Sequence, residues 1–307
     1  MSIDIIWFVV FIAIFMFGLT IMRSGLNRLA TDQVKEKLLL LTNNPLQGLL
    51  IGMLITAVLQ SSSAVMVITI GFVSAGLLTF RNSIGIMLGA NIGTTITAEL
   101  MTIQVGEMSL PIVLVGILLL LIPNRTTFSI GTALVGIGCM FVAMKGFTFL
   151  AHSIYSYSIV KTTLLYTNHN DLAGILLGAF LSAIIQSSSA VIGILMGFLH
   201  HQHISINAGI AIMLGANIGT CVTAILASIS TTVEAKWTAY AHIWLNVFGV
   251  ILFIPFINLL SKFVITLTPV LETQLAHASV IFNIACSLLA LPLINVFANF
   301  IMSTYKK

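Results

Sequence analysis

The chain has 307 residues, of which 59% are hydrophobic and only 7% charged, with a net charge of +4. A soluble domain carries about 25% charged residues, so a water-soluble globular fold is excluded. The alternating segments of about 10 residues that mark a membrane β-barrel are not visible in the sequence, and so small a positive balance needs no nucleic acid to explain it.

The pattern is that of an all-α polytopic membrane protein, because apolar stretches repeatedly reach the roughly 20 residues that cross a bilayer core. Residues 38–80 and 172–233 contain no Asp, Glu, Lys or Arg. Ile3–Met22 is the first expected crossing. It lacks a basic start and a small-residue cleavage site, so it is not expected to be a cleaved signal. Arg23 to Asn44 holds Arg23, Arg28, Asp32, Lys35, Glu36 and Lys37 among leucines, which predicts a short amphipathic helix at the interface. Residues 46–78 form an apolar run of 33. That is too long for one crossing and too short for two plus a turn, which need about 40. Gln60-Ser61-Ser62-Ser63 falls near its middle, so a re-entrant hairpin with a polar tip is expected, covered by protein or a water-filled cavity.

Ser83–Ile103 is the next crossing, and Gly85, Gly89, Gly93 and Asn91 predict a break inside it. Met108–Pro123 and 126–147 are read as two more crossings, joined at Asn124-Arg125. Residues 148–170 return to the interface. Residues 172–199 repeat the hairpin and Asn207–Ile229 the broken helix. Trp237–Leu260 and Ala278–Met302 bring the expected crossings to seven. The organisation is then a first repeat over 1–125, a second over 126–260, and a final crossing and tail over 261–307.

The repeat is literal. Gln60-Ser61-Ser62-Ser63-Ala64-Val65 recurs as Gln186-Ser187-Ser188-Ser189-Ala190-Val191, and Leu88–Thr94 recurs as Leu214–Thr220, both at an offset of 126 (186 − 60 and 214 − 88). At that offset residues 60–98 and 186–224 agree at 21 of 39 positions. Three expected crossings separate the hairpins, so the hairpins enter from opposite faces and the repeats have inverted topology. One face then carries Arg23, Arg28, Lys35, Lys37, Arg81, Arg125, Lys236, Lys306 and Lys307, and the other Lys145, Lys161 and Lys262. That bias marks the first face as cytoplasmic, in a multi-pass protein of the cell membrane with its amino terminus outside and its carboxyl terminus inside.

Inverted repeats with broken helices meeting at mid-membrane are the signature of a secondary transporter. Each serine cluster precedes an apolar half-helix and is placed to cap it. A helix N-terminus offers free N–H donors and a partial positive charge, which suit an anion. Two converging tips would cradle a small oxyanion with no arginine, since neither apolar core contains Lys or Arg. Hydroxyls both donate and accept, so they serve a protonated phosphate, and their oxygens suit a hard cation such as sodium. A lone serine in a membrane helix usually bonds back to the preceding turn or to a neighbouring helix; exact repetition at matched positions argues for a site.

Other residues carry plainer readings. Helix–helix hydrogen bonding is the rival role for Asn91 and Asn217. Glu99 reads as interfacial, His242 and Asn246 as a structural pair on one helical face, and His200, His201 and His203 as a wet loop rather than a metal site. Cys139, Cys221 and Cys286 read as buried small residues. Gly48, Gly52, Gly71, Gly76, Gly85, Gly89 and Gly93 suggest close helix packing. No Gly-x-Ser-x-Gly elbow is present, and neither serine motif contains a histidine or carboxylate to act as base, so no catalytic residue is expected.

The paired words Gln-Ser-Ser-Ser and Gly-Ala-Asn-Ile-Gly-Thr resemble the type II sodium/phosphate symporter family. Asn44-Pro45-Leu46-Gln47-Gly48, Thr56, Thr220–Leu226 and Ala241-His242-Ile243-Trp244-Leu245-Asn246 extend the likeness over most of 44–103 and 171–255. It implies import of inorganic phosphate driven by sodium as coupling ion, with no other cofactor, by alternating access in which a hairpin-bearing domain moves against a scaffold. It implies phosphate at Ser61, Ser62, Ser63, Ser187, Ser188, Ser189, Asn91 and Asn217. It implies sodium at Gln60, Gln186, Thr94, Thr95, Thr220, Ser62 and Ser188. The expected partners are phosphate, sodium and the lipid bilayer, with a homodimer left open. Departures are Cys221 opposite Thr95, and Ser279 where the family pattern has histidine. A symporter of another small anion, sulfate or a dicarboxylate, is the alternative function, followed by an ion channel.

Overall fold

Helix α1 spans Ile3–Leu40 without interruption. The expected boundary after Met22 does not exist, and no separate interfacial helix begins at Arg23. The reason is Gly25: a Cβ there would lie 2.5 Å from main-chain atoms of Ala133 and Ser129, so this glycine lets a neighbouring helix approach instead of breaking its own. The computed structural model describes residues 3–40, 44–103 and 106–305, and their side chains apart from 30–40 and 106. The side chains of Asp32, Lys35, Glu36 and Lys37, and residues Lys306 and Lys307, lie outside the described residues.

The first hairpin is α2 (Pro45–Leu59) and α3 (Ser62–Ser74), followed by α4 (Phe80–Met101). Helices α5 (Ser109–Leu120), α6 (Arg125–Tyr155) and α7 (Ser158–Thr167) lead to the second hairpin, α8 (Asp171–Ile185) and α9 (Ser188–His200). Then come α10 (Ile206–Gly219) and α11 (Val222–Ser228), α12 (Val233–Phe253) and α13 (Ile257–Leu267), α14 (Leu271–Ala290) and α15 (Ile294–Thr304). Pro255 and Pro292, in short 3-10 turns, interrupt the last two long rods, as a ring without an N–H must.

Among the described residues, six helical rods are long and apolar enough to cross a membrane: Ile3–Leu29, Phe80–Met101, Arg125–Tyr155, Ile206–Ser228, Val233–Leu267 and Leu271–Thr304. The segment read as a seventh crossing is α5, a helix of 12 residues. At 1.5 Å per residue it is about 18 Å long, short of a hydrocarbon core of about 30 Å.

The hairpins are built alike. Asn44 caps α2 by accepting the Gln47 N–H at 2.8 Å, and Asn170 caps α8 by accepting that of Ala173 at 3.0 Å. Each hairpin leans on the helix that carries the second repeated word, and glycines set the approach. A Cβ on Gly89 would overlap the Leu49 carbonyl oxygen, and one on Gly215 that of Ile175. Gly52 with Ile86 and Gly178 with Ile212 repeat the arrangement from the hairpin side. All four pairs keep the 126-residue offset (49 + 126 = 175; 86 + 126 = 212).

The expected break in the first copy is overturned: α4 runs unbroken through Asn91 and Thr94. Its glycines serve approach to α2, and its hydroxyls bond its own carbonyls, Thr94 to Ala90 at 2.8 Å and Thr95 to Ile92 at 2.7 Å. The second copy does break, at Thr220-Cys221 between α10 and α11.

The two hairpins open at opposite ends of α4. Near its start, Gly85 lies against Pro45 at the mouth of the first hairpin. Near its end, Glu99 bonds His277 of α14 at 2.8 Å, and Glu272 in the first turn of α14 bonds His200 at the mouth of the second hairpin. His203, just beyond, stacks on Tyr155 at 4.1 Å and lies 5.3 Å from the ring of His152 and 5.7 Å from that of His201.

Gly89→Ala and Gly215→Ala are each expected to cost about 1–3 kcal/mol through overpacking. Gly71→Ala, with nothing within 4 Å of the added Cβ, should be neutral in the same detergent melts. A second expectation concerns pH. Burial, then His152 and His201, lowers the His203 pKa. The folded state therefore holds the neutral ring. This contribution is present above the unfolded value near 6.5 and is lost as pH falls through the lowered folded value. Melting temperature should drop below about pH 6.5, and His203→Gln should flatten that drop.

Candidate functional site

At each tip the glutamine closes one helix and the first serine opens the next. Gln60 and Gln186 end α2 and α8 in the left-handed region, at φ 52° and 57°. Their N–H groups donate to the carbonyls of Thr56 and Ser182, both at 2.7 Å. Ser61 and Ser187 follow in extended conformation, and each Oγ accepts the N–H three residues on, from Ala64 and Ala190, at 3.2 Å. A four-residue word thus reverses the chain and caps the next helix, while the N–H groups of its last two serines, in the first turn of that helix, have no partner within it.

The two tips meet. A cavity with about 320 Å³ of empty space is lined by Gln60, Ser61, Ser62 and Ser63, by Gln186, Ser187, Ser188 and Ser189, and by Thr94, Thr220 and Arg23. A second polar cavity adjoins it, lined by Ser62, Asn91, Thr94, Ser188, Asn217, Thr220, His242, Asn246 and Asn283. Ser62, Thr94, Ser188 and Thr220 line both and form the wall between them. Among the described residues no Asp or Glu lines either cavity. The structure therefore brings together every site residue expected from the sequence except Thr95. The Thr95 side chain is buried, its hydroxyl bonds Ile92, and it lines neither cavity.

The two halves hold their polar atoms differently. The Gln60 carboxamide oxygen accepts from the Thr97 hydroxyl at 2.6 Å, and its main-chain carbonyl accepts from Arg23 Nε at 2.8 Å. In the second half the hydroxyls of Ser182 and Thr220 bond each other at 2.8 Å. The matching Thr56 hydroxyl (182 − 126) is buried with no partner. Asn246 Nδ2 donates to the His242 main-chain carbonyl at 2.8 Å and to Cys221 Sγ at 3.4 Å. His242 and Asn246 are thus joined through backbone rather than ring to carboxamide, and His242 Nδ1 is buried without a partner.

Arg23 and Asn283 are site-lining residues that the sequence reading did not assign there, and His242 and Asn246 had been given a structural role. A larger apolar cavity between α12 and α14–α15, with about 1160 Å³ of empty space, shares Asn91, Asn246 and Asn283 with the polar one. Asn246 and Asn283 stand outside the repeated words, so repetition did not flag them. Arg23 sits at the end of an apolar run, where a cation ordinarily marks the interface.

An all-helical bundle in which two hairpin tips meet at a polar centre, carboxylate-free among the described residues, has the build of a membrane transporter. The Na+/Pi-cotransporter family model matches residues 14–148 and 154–271, and the chain belongs to that family. Uncharacterized protein YqeW of Bacillus subtilis (strain 168) is 40% identical over 278 residues, 91% of each chain. Putative inorganic phosphate export protein YjbB of Escherichia coli (strain K12) is 23% identical over 252 residues, 82% of this chain and 46% of that protein. Sodium-dependent phosphate transport protein 2B of Homo sapiens is 50% identical over 68 residues, 22% of this chain and 10% of that one. No solved structure matches.

Proposed function

We propose that the chain carries inorganic phosphate across the membrane together with sodium, by alternating access, in the importing direction. The observation that carries this reading is the convergence of both Gln-Ser-Ser-Ser tips on one cavity. Phosphate is assigned to Ser61, Ser62, Ser63, Ser187, Ser188 and Ser189, at the N-termini of α3 and α9, where N–H donors and the helix dipole favour an anion, with Asn91 of α4 and Asn217 of α10 beside them. Sodium is assigned to oxygens of Gln60, Gln186, Thr94, Thr220, Ser62 and Ser188, and Thr95, which lines neither cavity, is set aside. Sodium binds first, organises the tips and offsets the phosphate charge; the loaded hairpins then shift against the remaining helices. The names of the human and E. coli relatives support phosphate as cargo.

The two halves are read as inverted repeats in a bacterial plasma membrane, with the amino terminus outside. Hairpins opening at opposite ends of α4 support this arrangement. In a chain freed of its own cysteines, a cysteine at Asn124 should be labelled from the cytoplasmic side and one at His169 from outside. Labelling of both from one side would contradict the inversion.

Export is the second reading, favoured by the name of YjbB. Proteoliposomes decide between the two and test the coupling. An inward sodium gradient should drive accumulation of labelled phosphate, and an equal potassium gradient should not. Arsenate should compete where sulfate does not. Ser62→Ala and Ser188→Ala should each cut uptake about tenfold or more while leaving the protein folded. Phosphate release from loaded vesicles that is indifferent to the sodium gradient would favour export without sodium coupling.

A further inference from the structure

Arg23 belongs to α1, the rod that packs along α6, yet its side chain reaches the tip of the first hairpin. Nε donates to the Gln60 carbonyl oxygen at 2.8 Å. The half-buried guanidinium lines the cavity that holds both serine clusters. The three ion pairs among the described residues are Lys145–Glu107, His200–Glu272 and His277–Glu99, and none includes Arg23. Among the described residues no carboxylate lines the cavity, and Arg23 is the one cation that does.

A guanidinium keeps its charge at any ordinary pH. Withdrawing that charge from water without a counter-charge is costly. The bond to the Gln60 carbonyl uses one of five N–H donors and brings no negative charge. The missing partner is therefore an anion that enters from outside the chain. We propose that Arg23 is the fixed counter-charge for the transported oxyanion, held at the tip by the Gln60 carbonyl. This rests on the phosphate-transport reading and adds a residue to it. A planar fork of N–H groups matches a phosphate edge. The serines supply neutral hydrogen bonds that fit the ion's shape, and Arg23 supplies the attraction for its charge.

The test is uptake by proteoliposomes holding wild type, Arg23→Gln or Arg23→Lys. The apparent KM for phosphate should rise about tenfold or more in Arg23→Gln, with sodium activation and melting temperature unchanged. Arg23→Lys should recover part of the loss, because it restores the charge but not the fork. An unchanged phosphate KM in Arg23→Gln overturns the proposal. So does a loss of sodium affinity and thermal stability in step with phosphate affinity, which would mark Arg23 as a tether for the tip. Phenylglyoxal labelling of the wild type, read by peptide mass spectrometry, decides if Arg23→Gln does not fold. Phosphate should protect Arg23 and leave Arg81 and Arg125 reactive; equal labelling of Arg23 with and without phosphate overturns the proposal. Absence of sodium-driven uptake by the wild type would instead sink the transport reading. Protection measured with phosphate, sulfate and a dicarboxylate would then still decide whether Arg23 meets an anion.

Discussion

A chain that reverses direction at the depth of the hydrocarbon must satisfy its main-chain N–H and C=O groups without bulk water. The twin Gln-Ser-Ser-Ser word meets part of that constraint at both tips. Gln60 and Gln186 adopt the left-handed conformation that turns the chain, at about 1–2 kcal/mol for a residue that is not glycine. Ser61 and Ser187 then cap the returning helices. At the first tip Thr97 bonds the carboxamide of the strained residue, and the carbonyl of that residue in turn orients Arg23. Because the half-helices are too short to span the membrane, they depend on side support. The repeated glycines supply it by letting α2 seat on α4 and α8 on α10.

This shared skeleton carries unequal chemistry. The first half spends Thr97 on Gln60, whereas the matching Thr223 (97 + 126) bonds the carbonyl of Thr220. The second half pairs Ser182 with Thr220, whereas Thr56 stays unpaired. Cys221 replaces Thr95 where α10 breaks, and its sulfur takes a bond from Asn246. Two halves that fold alike but present different oxygens form one asymmetric site. On the proposed reading such a site can tell two different ions apart, which a strictly twofold cradle would not.

The sequence made the hairpins legible because their length fits no whole number of crossings and the word at the tip is repeated letter for letter. It made the convergence of the motif residues legible for the same reason. The break in α4 was misread because glycines four residues apart encode both a weak helix and a close approach, and only the neighbouring helix tells them apart. Helix α5 was expected to be a full crossing because 108–123 is apolar, although the helix itself starts at Ser109 and stops at Leu120, so the segment approaches the length of a crossing only with its flanking residues. Arg23 was misplaced because charge was used to end the first crossing. What holds Arg23 inside the bundle is a carbonyl 37 residues away, and no local pattern carries that.

On the proposed reading, the charge balance of the cavity links occupancy to movement. A ligand shifts a conformational equilibrium only by its differential interaction with the two states. The tips offer neutral donors and one guanidinium, with no acidic partner among the lining residues. Closing the bundle over that empty cavity would strip water from an uncompensated positive charge, and sodium alone would add to the imbalance. Closing it over phosphate beside Arg23 and sodium removes most of the penalty, because opposite charges then enter the dry state together. The carboxylate-free lining is what makes this discrimination steep, since a built-in Asp or Glu would let the site close empty.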